Sequence, residues 1–184
     1  IDDPVWNAST FSKNRDRLLA GDVAQRFFEQ VLAEARSRHF LSNEHFTVDG
    51  TLIEAWASQK SFRPKDGSED PPTDAGRNAE VDFRGRPRSN DTHASTTDPD
   101  ARLFRKSRQT GAVLCYMGHV LMENRNGLAV SGRLSHATGR AEREAAVSMV
   151  AEVPGVSPVT LGADKGYDTA DFVADLRQIG VSPH

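Results

Sequence analysis

Two aspartates each follow a short apolar run: Asp49 in His45-Phe-Thr-Val-Asp-Gly-Thr51, and Asp164 in Val159-Thr-Leu-Gly-Ala-Asp-Lys-Gly-Tyr167. A strand end fixes the backbone of a short acidic side chain, so two such acids on neighbouring strands form a defined pair of hard oxygen donors. Magnesium or manganese prefers that donor type and keeps waters that substrate oxygens replace. Two such ions, roughly 3.5–4 Å apart, suit phosphodiester chemistry, in which attacking and leaving oxygens both need stabilisation. A third carboxylate normally completes the set, and Asp171 and Asp175 on the last helix pattern are poorly placed to supply it.

Each acid also has a plain reading. Asp49-Gly50 between apolar pairs is a favoured hairpin turn, and Asp164-Lys-Gly can be a strand-to-loop turn. Asp168 reads as the N-cap of the next helix, with Asp171 in its first turn. His119 and His136 have no paired ligand at metal-site spacing, which points to core or loop roles. Glu54 reads as a surface acid, and Trp56 as a packing residue rather than a base-stacking one.

The elements that must position these acids follow from periodicity and punctuation. Thr10 is a candidate cap for a helix through Phe11–Leu19 that Gly21 interrupts. Asp22 is a candidate cap for a second helix with Val23, Phe27, Val31 and Ala35 on one face, widened by Phe28 and Leu32. Both belong to a helical segment over 1–44. Phe46–Val48 and Leu52–Ile53 read as extended. Residues 57–110 form a long irregular insertion, broken by Pro64, Pro71, Pro72, Pro87 and Pro99. It reads as disordered or as a loop that orders on a partner. Its bases group locally as Arg84, Arg86 and Arg88, then Arg102, Arg105, Lys106 and Arg108. These are candidate phosphate contacts, with simple solvation the alternative.

From Gly111 the alternation of Val113, Cys115, Met117, His119 and Leu121 with Leu114, Tyr116, Gly118 and Val120 predicts a strand apolar on both sides, central in its sheet. Asn126-Gly127 predicts the turn into a returning strand, Leu128–Leu134. Thr138 introduces a helix over 140–153, Val159–Ala163 is the next strand, and a helix over 169–179 ends at Gly180. Another strand can start in the residues that follow. A hairpin followed by strand–helix–strand crossovers implies an α/β fold, with a mixed sheet flanked by helices. Ribonuclease-H-like folds have this order, with the first strand central and beside the fourth, which would bring Asp49 and Asp164 together. The catalytic core is therefore read over 45–184 and as C-terminally incomplete.

The 184 residues suit one domain with a small helical appendage. No apolar run approaches the roughly 18 residues of a membrane span, the start does not resemble a signal peptide, and one cysteine fits a reducing cytoplasm. The net charge of −3 does not announce a nucleic-acid binder, so any such surface must be local. The chain opens without Met and stops at Gly180-Val-Ser-Pro-His184, which reads as an internal piece of a longer protein.

Five segments together resemble bacterial insertion-sequence transposases of the IS-five-like branch of the DDE superfamily: Val48–Ser58, Ser95–Lys106, Gly118–Gly127, Ala137-Thr-Gly-Arg-Ala-Glu-Arg-Glu144 and Gly162–Asp168. The resemblance spans nearly the whole chain. It implies a ribonuclease-H-like core that cuts and rejoins double-stranded DNA at element ends and target with two magnesium or manganese ions. Asp49 matches the family's first catalytic acid and Asp164 its second, while the family's Glu lies on a later helix without a counterpart here. This implies that the fragment alone is inactive, that the protein acts on the nucleoid of a bacterial cytoplasm, and that it forms a homo-oligomer when on DNA. Lys165 joins the arginines and Lys106 as a candidate phosphate contact. A nuclease without strand transfer and a non-catalytic DNA-binding remnant are the rival expectations.

Overall fold

The computed structural model describes residues 7–68, 88–107, 109–153 and 158–184. The chain divides into two compact units, Ile1–Ser42 and Asn43–His184.

The first unit holds α1 (Ala8–Ala20) and α2 (Val23–Ser37). The cap of α1 is Asn7, whose Oδ1 accepts the Thr10 N–H at 3.2 Å, so Thr10 sits inside the first turn instead of capping it. Asp22 precedes α2 in a left-handed conformation (φ 51°) and makes no capping hydrogen bond. That backbone turns the chain sharply between the helices and carries the side chain away from the α2 amides. In α2, Leu32 is buried and Phe28 and Ala35 are half-buried, while Val23, Phe27 and Val31 are exposed. Two apolar stripes one residue apart share this helix, and periodicity alone does not choose between them.

The second unit is a mixed sheet with flanking helices. Its strands are β1 (His45–Glu54), β2 (Phe62–Pro64), β3 (His93–Ser95), β4 (Arg102–Phe104), β5 (Val113–Glu123), β6 (Leu128–His136), β7 (Val159–Gly162) and β8 (Val181–Pro183). Its helices are α3 (Ala141–Ala151) and α4 (Ala170–Gln178). The main sheet runs β4-β5-β1-β7-β8, with β6 also pairing β5. β5 is antiparallel to β1, β4 and β6, whereas β7 is parallel to both β1 and β8. The strand expected after Gly180 is β8, added parallel at the sheet edge.

β1 is continuous through Asp49-Gly50, which pair with Val120 and His119 of β5. The turn reading of Asp49-Gly50 is thus wrong, because an unbroken antiparallel ladder carries the chain from Phe46 to Glu54. Asn126-Gly127 does turn the chain, with Gly127 at φ 69°. The buried Glu123 carboxylate braces that turn by accepting the Arg125 and Asn126 amides at 2.7 and 3.0 Å.

The core lies between the sheet and the helices. Phe46 and Val48 of β1, Leu121 of β5, Leu161 of β7, Met149 of α3 and Leu176 of α4 form one buried cluster. His119 is buried with its Nε2 2.8 Å from Ser135 Oγ, as expected of a core histidine, and burial lowers its pKa. Thr138 introduces α3 by accepting the Ala141 N–H on its hydroxyl. For α4 the cap is Thr169, whose Oγ1 accepts the Phe172 N–H at 3.3 Å, one residue beyond the expected Asp168. Asp168 instead closes the short 3-10 turn Lys165–Tyr167, its N–H bound to the Lys165 carbonyl.

The described parts of the insertion are more regular than their composition suggests. A 3-10 turn (Gln59–Ser61) leads into β2, which pairs with β3, and β4 joins the main sheet. Buried Phe62, Ala101 and Leu114 form a small separate core. Asn90 clamps β4 from both sides, donating to the Leu103 carbonyl and accepting the Leu103 N–H. Tyr116 Oη donates to Asp98 at 2.6 Å, and that bond pushes the phenol up to about 12. Order here comes from a few buried anchors rather than from long elements. Arg84, Arg86 and Arg108 lie outside the described residues. Trp56 does not pack, being 97% exposed just past the end of β1. Among the described residues no helix is long and apolar enough to cross a membrane.

Candidate functional site

The parallel pairing of β1 with β7 ends at Thr47 opposite Gly162. Asp49 and Asp164 each stand two residues beyond that pair, one on a strand that continues and one on a strand that has stopped. Period-two alternation puts Phe46, Val48 and Gly50 on the buried face of β1 and leaves Asp49 exposed on the other. Because β7 is short, the flank of β1 at Asp49-Gly50 is open, and groups from either face can gather around it.

Both aspartates are held by the same device. Asp49 Oδ1 accepts the Gly50 N–H at 2.8 Å, and Asp164 Oδ1 accepts the Gly166 N–H at 2.8 Å. One oxygen of each is thereby fixed by the backbone. The second hydrogen bond belongs to the 3-10 turn that Asp164 caps, so Asp164 is both a strand-end acid and a turn residue.

Two further side chains, Glu142 and Lys106, reach this opening, with Tyr167 buried nearby; of the three the sequence singled out only Lys106, as a candidate phosphate contact. Glu142, in the first turn of α3, lies across Gly50: a Cβ on Gly50 would meet its Oε1 at 2.7 Å and its Cγ at 2.9 Å. Burial, then the charges of Asp164 and Asp49, raise the Glu142 pKa, while Lys106 pulls it down. Lys106 Nζ donates to the Gly50 carbonyl at 3.1 Å and stands 3.9 Å from Glu142 Oε1. Tyr167 is buried, and its hydroxyl has no hydrogen-bond partner among the described residues. Burial raises its pKa, and the carboxylates of Glu142, Asp49 and Asp164 raise it further. Arg143 ties α3 to the Asp164 turn, donating to the Gly139 and Gly166 carbonyls. A glycine in mid-strand was the one available signal, since it marks a close approach by another group.

No family model, curated protein or solved structure matches the chain. Its chemistry therefore rests on its own residues. Among the described residues no group of three or more His, Cys, Asp and Glu side chains could hold a metal ion. Asp49 and Asp164 remain as a pair of carboxylates at adjacent strands, and magnesium is commonly held by one or two carboxylates with water and phosphate oxygens completing its shell. The all-oxygen donor set fits that ion and manganese, and does not fit a thiolate or imidazole metal.

Of the proposed phosphate contacts, Lys106 reaches this opening. Lys165 is exposed in the turn directly after Asp164, and Arg105 is exposed beside Lys106. Arg88 is half-buried in the segment leading into β3, and Arg84 and Arg86 lie outside the described residues.

Tyr167 permits a direct test. Its ring packs against Phe172 with centroids 5.6 Å apart, a contact that phenylalanine would keep. Tyr167→Phe removes only a buried hydroxyl lacking a partner, and should stabilise the chain by about 1 kcal/mol. Urea unfolding monitored by circular dichroism measures this, and a loss of stability would mean that the hydroxyl has a partner in solution.

Proposed function

We propose that this chain is the ribonuclease-H-like catalytic core of an insertion-sequence DNA transposase of the IS-five-like DDE group. The observation that carries the reading is the parallel pairing of β1 with β7, which leaves Asp49 and Asp164 equally far beyond one register position. The strand sequence β6-β5-β1-β7-β8, with β1 antiparallel to β5 and parallel to β7, supports the same reading, since ribonuclease-H-like folds have this order. The resemblance of the five sequence segments supplies the substrate, double-stranded DNA at element ends and target.

In this reading Asp49 and Asp164 hold magnesium or manganese. When bound, the ions supply Lewis-acid stabilisation of phosphoryl oxygens and activation of the attacking oxygen. The chain's own part is positional. The Gly50 and Gly166 amides fix one oxygen of each aspartate. Arg143 holds the Asp164 turn against α3. A further carboxylate from the family's later helix completes the set, so the 184-residue chain alone should bind cations without efficient strand transfer.

The test is manganese titration of the 184-residue chain followed by amide NMR. Paramagnetic broadening should concentrate on Asp49, Gly50 and Asp164–Tyr167, and magnesium should reverse it competitively. Broadening spread over unrelated surface acids would remove the basis of the reading. If cations bind as expected, a joining assay on a longer chain bearing the third acid separates a transposase from a nuclease that only cuts.

A further inference from the structure

The Glu142–Gly50–Lys106 stack is unexplained by cation binding at the aspartates. A glycine in mid-strand costs about 0.5–1 kcal/mol relative to alanine, and here it is needed because the Glu142 carboxylate occupies the space of a side chain. Favourable interaction with the α3 dipole does not account for that approach, since Glu144 in the same turn supplies it while exposed. Glu142 instead lies half-buried near two other acids, a placement that disfavours its charged form. What it faces is Lys106, a residue of the segment between β4 and β5, which crosses to the Gly50 carbonyl.

The consequence is a positive charge held at the Gly50–Thr51 peptide, one residue past Asp49. Two of its directions are taken by the Gly50 carbonyl and by Glu142, and the Lys106 side chain is still exposed. A phosphodiester approaching this opening meets Asp49, Asp164 and Glu142 on a chain of net charge −3, so long-range attraction does not bring it in. A local cation held in place offsets that repulsion. The Tyr167 hydroxyl, buried without a hydrogen-bond partner among the described residues, lies within electrostatic reach of the same three acids.

We infer that Glu142 is a positioning residue that, across Gly50, holds the Lys106 ammonium as the docking cation for a DNA backbone phosphate beside Asp49 and Asp164. The inference rests on the reading of the site as a DNA-processing centre and adds a residue and a role to it. Removing a negative charge from a DNA-facing surface ordinarily tightens binding. If Glu142 orients Lys106, Glu142→Gln weakens it instead, and that opposite sign separates positioning from bulk charge.

The experiment measures binding of a duplex oligonucleotide to the 184-residue chain in EDTA, over a roughly fourfold range of salt concentration. Lys106→Ala should lower the slope of log affinity against log salt by about 0.9, the share of one phosphate contact, while Lys106→Arg keeps it. Glu142→Gln should weaken binding by about two- to fivefold, the effect a partly exposed ion pair carries. The double variant should bind no more weakly than Lys106→Ala alone. Circular dichroism melts check that each variant is folded, and Lys106→Arg controls for loss of the side-chain stem. Unchanged or tighter binding by Glu142→Gln, or a wild-type slope in Lys106→Ala, overturns the inference. Manganese titration of the same variants separates the two levels. Normal uptake at the aspartates with no salt-slope effect sinks this inference alone, whereas absence of both duplex binding and manganese uptake sinks the underlying reading with it.

Discussion

Replacing Asp49 with asparagine should abolish selective manganese uptake by the 184-residue chain while leaving its fold intact. Asparagine keeps the side-chain carbonyl that accepts the Gly50 amide, so β1 has no reason to rearrange. What it removes is one of the two full charges that a divalent ion needs. Loss of an outer partner alone commonly costs 10- to about 100-fold in metal affinity, so loss of a ligating carboxylate should cost at least about 100-fold. Asp164→Asn should do the same, because its amide-bound oxygen is likewise retained while the charge is lost. In a longer chain bearing the third acid, either change should lower strand cleavage by about a thousandfold, equivalent to roughly 4 kcal/mol of transition-state stabilisation. Calorimetric manganese titration reads the first effect and a nicking assay the second. Equal affinity in wild type and both variants would show that the aspartates are turn and strand residues only.

The adjacency of β1 and β7, each an apolar run that an aspartate follows, was legible because the order of elements is read from local patterns. The hairpin at Asn126-Gly127, the central β5 and the helix after Thr138 were legible for the same reason. What stayed hidden depends on contacts far apart in the chain. The three-residue strands β2, β3 and β4 carry no readable period, and their order comes from Phe62, Ala101 and Leu114 meeting in space and from the Asn90 clamp on Leu103. Trp56 looked like a packing residue by type, yet β1 ends at Glu54 and leaves its ring in solvent. Glu142 drew no reading of its own from the sequence, and only the fold shows that its side chain lies across Gly50. The caps failed by small offsets, Asn7 for Thr10 and Thr169 for Asp168, because neighbouring polar residues compete for the same amides.

Gly50 is where local and long-range causes conflict most directly. Asp-Gly is a turn signal, and the position is nevertheless buried within a nine-pair antiparallel ladder running from Phe46 to Glu54. Valine should be the better residue for such a strand by propensity, yet Gly50→Val should destabilise the chain by about 2–3 kcal/mol, since overpacking a filled site typically costs that much. The new Cβ would lie 2.7 Å from Glu142 Oε1, 2.9 Å from Cγ and 3.2 Å from Cδ. The carboxylate end alone could swing aside, but relieving the Cγ contact moves the side chain off the strand and away from Lys106. Gly50→Ala should cost less, about 1 kcal/mol, because the loss of glycine's backbone freedom offsets part of the clash. The diagnostic is the double variant: adding Glu142→Ala to Gly50→Val should recover most of the lost stability in urea unfolding, a coupling that independent sites do not show. Failure to recover would mean that the strand itself rejects a side chain at position 50. Recovery would show that the glycine is there to admit a carboxylate, placing Glu142 at the opening for a reason other than the stability of α3.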